Sequence, residues 1–195
     1  MYFTGDLSAL AGAEYQIIYA DPPWQYRDRA NAGKRGACHK YSVMEPKAIQ
    51  DLPIAFIAAR DCALFCWATG PMLAEGTAQT VLRAWGFTPK TLVFTWIKLT
   101  RTGKRYHWGM GRWTRANPEY VLLVTRGRPC RVSAAVHSVI ESPIAGHSEK
   151  PAECRTRILN LMGDLPRIEL FARGDAGDGW DRWGNDPSDP PIRSN

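Results

Sequence analysis

The sequence has no long apolar stretch, so nothing in it reaches the roughly 20 residues of a membrane-crossing helix. It shows no charged-then-apolar leader between Met1 and Glu14, so a secreted protein is not expected. Its five cysteines, Cys38, Cys62, Cys66, Cys130 and Cys154, form no Cys-x-x-Cys pair. An odd count without a leader predicts reduced thiols and a cytoplasmic setting. The four histidines complete no zinc spacing, so no metal is expected.

Acidic residues are scarce in one stretch. From Lys98 to Arg131 there are nine basic residues and a single acid, Glu119, a local net charge of +8 within a chain of net +6. From Glu141 to Asn195 the balance reverses, with seven basic and ten acidic residues. The basic stretch also holds Tyr106, Trp108 and Trp113. Cations interleaved with aromatics suit a phosphate backbone and unstacked bases. A solvated loop is the alternative reading of the charge alone.

What is present is a chain of 195 residues, 45% hydrophobic, enough for one domain with a full core. The expected organisation is a single domain over 1–186 with a flexible tail over 187–195. Short apolar runs predict strands at 16–20 (QIIYA), 63–68 (ALFCWA), 91–97 (TLVFTWI), 120–125 (YVLLVT) and 167–172 (RIELFA), with a further candidate at 136–141. Helical spacing predicts helices over 71–85 and 151–162, each starting at a proline and stopping at a glycine, with a short helical pattern after Pro46. The segment 100–117 is too polar and glycine-rich for the core and reads as a long loop. Strands alternating with helices predict an α/β domain with a mostly parallel sheet. Ligands of such sheets sit beyond the carboxyl ends of the strands, here the residues after Ala20, Ala68, Ile97 and Ala172.

Asp21-Pro22-Pro23-Trp24 stands directly after the first strand. A carboxylate and the Pro22 carbonyl offer two acceptors to one amino group. For an amine conjugated to a heteroaromatic ring, two acceptors localise the nitrogen lone pair and stabilise positive charge that develops on attack. The prolines hold those acceptors in extended geometry. Trp24 offers a flat face for a base, worth about 1–3 kcal/mol. An ordinary strand-ending turn is the alternative. Asp189-Pro190-Pro191-Ile192 repeats the first three residues, but it follows no strand and ends in Ile.

ADPPW after a strand resembles the MT-A70-like family of adenine-N6 methyltransferases. Lys40-Tyr41-Ser42-Val43-Met44, LFCWATG at 64–70, Trp96-Ile97-Lys98, His147-Ser148-Glu149-Lys150-Pro151, Ile168 to Arg173, Gly179-Trp180 and Trp183-Gly184-Asn185 follow in that family's order. The ordered matches span most of the chain. The resemblance implies a Rossmann-like class I fold, helices on both sheet faces and a circularly permuted motif order. It implies transfer of a methyl group from S-adenosylmethionine to the N6 amine of adenine.

By the same resemblance Asp21, Pro22, Pro23 and Trp24 are the catalytic segment, with Asp21 also beside the cofactor. Lys150 is expected to bind the cofactor's carboxylate, which suits an ammonium at a helix start. Arg173 and Asn185 are expected on the ribose hydroxyls, with Asn185 or Asp186 near the adenine ring. Asp6 and the Leu7 backbone N–H are candidates for that adenine as well. Where eukaryotic members carry a histidine two residues after the arginine, this chain has Asp175, whose own role is left in doubt.

Trp24, Tyr41, Lys104, Arg112, Arg115, Asn117 and Glu119 are the candidates for holding the substrate. For Asn117 and Glu119, capping and pairing with local backbone is the alternative. The compact HSEKP-type sequence resembles bacterial and phage members, which favours DNA over RNA as the partner. A cytosine-N4 methyltransferase is disfavoured by Trp at position 24. A non-catalytic nucleic-acid-binding subunit is disfavoured because Asp21, Lys150 and Asn185 are all intact. A homodimer or a partner subunit is left open.

Overall fold

The computed structural model describes residues 7–25, 44–111, 113–146, 149–172, 177 and 179–184. Seven strands form one sheet: β1 (Tyr15–Ala20), β2 (Ala58–Ala68), β3 (Thr88–Leu99), β4 (Glu119–Arg126), β5 (Val139–Pro143), β6 (Arg167–Ala172) and β7 (Asp181–Gly184), in the order β5-β3-β4-β2-β1-β6-β7. β4 pairs antiparallel with both β2 and β3, and every other pairing is parallel. This is the mostly parallel α/β sheet expected.

Alternation of side chains splits β1 between two cores. Ile18 and Ala20 pack beneath α1 (Pro46–Gln50), α2 (Gly70–Ala74) and α3 (Thr77–Ala84), together with Ile49, Met72, Ala78, Val81 and Leu82. Ile17 and Tyr19 point the other way, against Cys154, Ile158 and Met162 of α4 (Ala152–Met162). Helices thus cover both faces. A strand buried on both sides reads as a continuous apolar run, which is why QIIYA stood out.

Four elements depart from expectation. The helix expected over 71–85 is two helices, because Gly76 adopts a left-handed φ of 74° and turns the chain between them. The strand expected over 63–68 begins at Ala58, with Arg60 and Asp61 exposed near its start. The candidate over 136–141 is β5, shifted to 139–143; Pro143 is tolerated at the end of an edge strand. β7 was not anticipated, since only Trp183 and Gly184 of its four residues are buried.

The end of β6 is irregular. Phe171 has a φ of 62° and the β6–β7 register shifts between Leu170 and Ala172. Phe171 packs edge-on against Trp183 at 5.4 Å. Gly184 lies so close to the Ala172 backbone that a Cβ there would collide with its nitrogen, carbon and oxygen. No described helix is long and apolar enough to cross a membrane.

Candidate active site

Because all strands but β4 point one way, the carboxyl ends of β1, β2, β3 and β6 share one edge with the amino end of β4. The register makes the row explicit. Ala20 lies opposite Cys66 on one side and Leu170 on the other, Ala68 opposite Tyr120, and Trp96 opposite Glu119. Asp21, Lys98 and Glu119 are therefore neighbours along this edge, and Lys150 joins them from the link between β5 and α4.

Their side chains form a chain of alternating charge. Lys150 Nζ donates to Asp21 Oδ2 at 2.8 Å and lies 3.4 Å from Glu119 Oε2. Lys98 Nζ donates to Glu119 Oε1. Beneath the cations runs an aromatic floor. Lys150 Nζ stands 5.5 Å from the centre of the Trp67 ring and Lys98 Nζ 5.2 Å from that of Trp96. The two indoles meet edge-on at 6.1 Å, and Trp67 Nε1 donates to the Tyr19 hydroxyl at 2.6 Å.

Burial works against the charges of Glu119 and Lys150, and pairing decides the outcome. Burial alone would raise the pKa of Glu119, yet the Lys150 and Lys98 ammoniums hold it below its ordinary value. Burial would lower that of Lys150, yet Asp21 and Glu119 hold it above. Both stay charged at neutral pH. A further pair joins Arg155 to Glu169 at 2.8 Å. Burial raises the Glu169 pKa, Arg155 opposes, and the Asp21 charge pushes the same way as burial.

The tetrapeptide itself is a braced turn. Trp24 N–H donates to the Pro22 carbonyl at 2.8 Å. Met44 N–H donates to the Pro23 carbonyl at 2.9 Å, and Gln25 N–H to the Met44 carbonyl at 3.2 Å. Pro22, Pro23 and Trp24 are buried while Asp21 is partly exposed. A carbonyl has two lone pairs and a carboxylate about four acceptor directions. Pro22 and Asp21 therefore keep the capacity to accept from an amine while serving their present donors.

Two of the candidates are buried and hydrogen-bonded within the fold. Trp24 is only 5% exposed and its Nε1 donates to the Trp67 carbonyl at 2.9 Å. Its indole is packed in the core, where it braces the turn. Asn117 is 7% exposed, and its amide is spent on backbone: Oδ1 accepts from Lys98 N–H at 3.1 Å, while Nδ2 donates to the carbonyls of Lys98 at 2.8 Å and His107 at 2.6 Å. It fastens the base of the 100–118 loop, the local alternative to a substrate contact.

The remaining candidates fall in several places. Lys104 and Arg115 are exposed on that loop. Leu7 is buried in the core, in a 3-10 turn that packs against Ile54–Phe56 ahead of the amino end of β2. Asp6, Tyr41, Arg112, Arg173, Asn185 and Asp186 lie outside the described residues, as does Asp175. Among the described residues no cluster of three His, Cys, Asp or Glu side chains is arranged to hold a metal.

Lys98, Trp67, Trp96 and Tyr19 are not among the site residues expected from sequence, although Trp67, Trp96 and Lys98 lie in its family-like segments. For Lys98 the signal existed: it is the residue that follows Ile97, where a ligand-facing side chain is expected. Its charge had been assigned to the basic stretch instead.

Comparison with known proteins agrees with this architecture. The MT-A70 family model matches residues 15–186. The chain is 33% identical over 197 aligned residues to the Type II methyltransferase M.MunI of a Mycoplasma species, covering 92% of this chain and 80% of that protein. It is 28% identical to the human N(6)-adenine-specific methyltransferase METTL4, covering 88% of this chain but 37% of that protein. It is 26% identical to the Arabidopsis thaliana N(6)-adenosine-methyltransferase MT-A70-like, covering 88% of this chain and 23% of that one.

Proposed function

Because the chain belongs to the MT-A70 family, we propose that it transfers a methyl group from S-adenosylmethionine to the N6 amine of adenine in nucleic acid, with DNA as the favoured substrate. The observation that carries this reading is the partly exposed Asp21 carboxylate at the carboxyl edge of the sheet, held by Lys150 on a turn of two buried prolines.

In this reading one amine N–H donates to Asp21 and the other to the Pro22 carbonyl. Both acceptors are fixed before substrate arrives, so no reorganisation is needed as positive charge grows on the nitrogen. The attacking nitrogen must lie in line with the methyl carbon, and the braced turn supplies that orientation.

The donor set suits the methyl donor. Lys150 is a half-buried ammonium that precedes the first turn of α4, a setting matched to a carboxylate. Arg173, Asn185 and Asp186 follow the strands β6 and β7 in sequence, and we assign them to the ribose and the adenine ring by family resemblance. S-adenosylmethionine supplies an activated methyl group on a sulfonium. Lys98 and Glu119 act one step back, since Glu119 shares Lys150 with Asp21 and so sets its position.

DNA is favoured because the chain matches a compact bacterial-type relative over most of both lengths, and the eukaryotic relatives over less than half of theirs. Radiolabelled methyl transfer to matched DNA and RNA, single- and double-stranded, followed by nucleoside identification, tests the proposal. Label in N6-methyldeoxyadenosine is the expected result. Asp21→Ala should bind the cofactor nearly as well as wild type while losing transfer. Full turnover by that variant overturns the assignment.

A further inference from the structure

Residues 99–118 contain no Asp or Glu, and they leave the sheet from β3 and return to it at β4. The excursion is built, not loose. Thr100 N–H donates to the Arg105 carbonyl at 2.8 Å, His107 N–H to the Lys98 carbonyl at 2.8 Å and Gly109 N–H to the Ala116 carbonyl at 2.7 Å. A bridge joins Leu99 to Tyr106. The Gly109–Ala116 bond closes a tip so tight that a Cβ at Gly111 would collide with the Thr114 carbonyl.

Large apolar side chains at this turn face solvent. Trp113 is 93% exposed and Met110 81%. Tyr106 and Trp108, at the base, lean on each other at 6.2 Å. An exposed indole on a defined turn is costly in water, so it marks a surface that works when covered. The cover is indicated by charge. Arg115 lies in the tip and Arg101, Lys104 and Arg105 lie toward the base of the excursion, all exposed. A polyanion that presents apolar, stackable surface between its phosphates meets both features, and nucleic acid is that chemistry.

The position of the tip adds direction. Trp113 lies six residues before Glu119, which contacts Lys150 in the cluster. Six residues reach at most about 20 Å, so Trp113 stays within that distance of the charged cluster. A base in a duplex cannot reach Asp21 while stacked, so the target must swing out and its vacancy must be filled or collapse.

We propose that Trp113, flanked by Met110, is the wedge that fills this vacancy in duplex substrate. The inference rests on the nucleic-acid reading above and deepens it. The phosphate contacts come from the surrounding cations, and the wedge holds the duplex open beside Asp21.

The test needs no knowledge of the target sequence. Fluorescein-labelled DNAs of one shared sequence are compared by anisotropy: an intact duplex, the same duplex with one central abasic site, and the single strand. A wedge gains most where the gap already exists, so wild type should favour the abasic duplex by about tenfold over the intact one. Trp113→Ala should erase that preference and leave single-strand affinity within about twofold, and Trp113→Phe should restore most of it. Trp113→Ala weakening all three probes equally, or none, overturns the wedge. So does a change from dimer to monomer by light scattering with the abasic preference intact, which would assign Trp113 to self-association. Wild type binding all three DNAs alike sinks the wedge but leaves nucleic-acid binding standing, whereas binding to none removes both.

Discussion

Lys150→Met gives the sharpest measure of how the site is held together. Methionine keeps most of the apolar stem and removes the ammonium, with its hydrogen bonds and its cation–π contact with Trp67. Two carboxylates are then deprived of a partner, Asp21 at 2.8 Å and Glu119 at 3.4 Å. At an effective dielectric of about 20 those attractions are worth roughly 6 and 5 kcal/mol before any cost is counted. Burying the ammonium cancels much of this, and Glu119 retains Lys98. The expected net loss is about 2–4 kcal/mol. Urea unfolding followed by tryptophan fluorescence reads it, with the midpoint falling by about 1 M.

The pH dependence identifies the cause. Glu119 is held below its ordinary 4.5, with burial opposing and the Lys150 and Lys98 charges prevailing. Its contribution is complete above pH 4.5 and fades as the pH falls through the lower folded value. Lys150 is held above its ordinary 10.5, with burial opposing and Asp21 and Glu119 prevailing. Its contribution is complete below pH 10.5 and fades as the pH climbs through the higher folded value. The wild-type advantage should therefore be flat between about pH 6 and pH 9. A variant as stable as wild type at neutral pH would show that desolvation outweighs the pairing, and would refute the reasoning.

Asn117→Ala strands the Lys98 N–H and the carbonyls of Lys98 and His107, at a cost of about 2–4 kcal/mol, and trypsin should then cut within 101–115 faster than in wild type. Gly184→Ala drives a methyl into the Ala172 backbone; we expect about 2–3 kcal/mol of destabilisation and a Tm lower by roughly 5–10 °C in a thermal scan. Lys104→Glu with Arg115→Glu should weaken nucleic-acid binding and flatten its salt dependence by about 0.9 in slope for each phosphate that is no longer neutralised; an unchanged slope excludes these residues as phosphate ligands.

The sheet was largely readable in the sequence because its central strands are apolar on both faces, and apolar runs bounded by turns are a strong signal. Strand direction was not. Nothing in YVLLVT says that β4 runs against its neighbours, yet that reversal is what delivers Glu119 to the edge where Asp21 ends β1. β7 escaped because two of its four residues face solvent. In the site, Asp21, Lys150 and Glu119 were each named, but their meeting was not: Asp21 and Lys150 are 129 residues apart, and local patterns carry no such information. Trp24 shows a different limit. The sequence presented its indole as a flat face beside a turn and carried no sign that the fold buries it.

The reversed β4 has a consequence for how such a protein changes over time. Both feet of the basic excursion stand on one rim, fixed by a few backbone bonds and one buried amide. Its middle can be lengthened, shortened or exchanged while the strands keep their register and the acidic turn keeps its bracing. On the proposed reading, substrate preference would be retuned by exchanging this excursion while the rest of the sheet stays as it is.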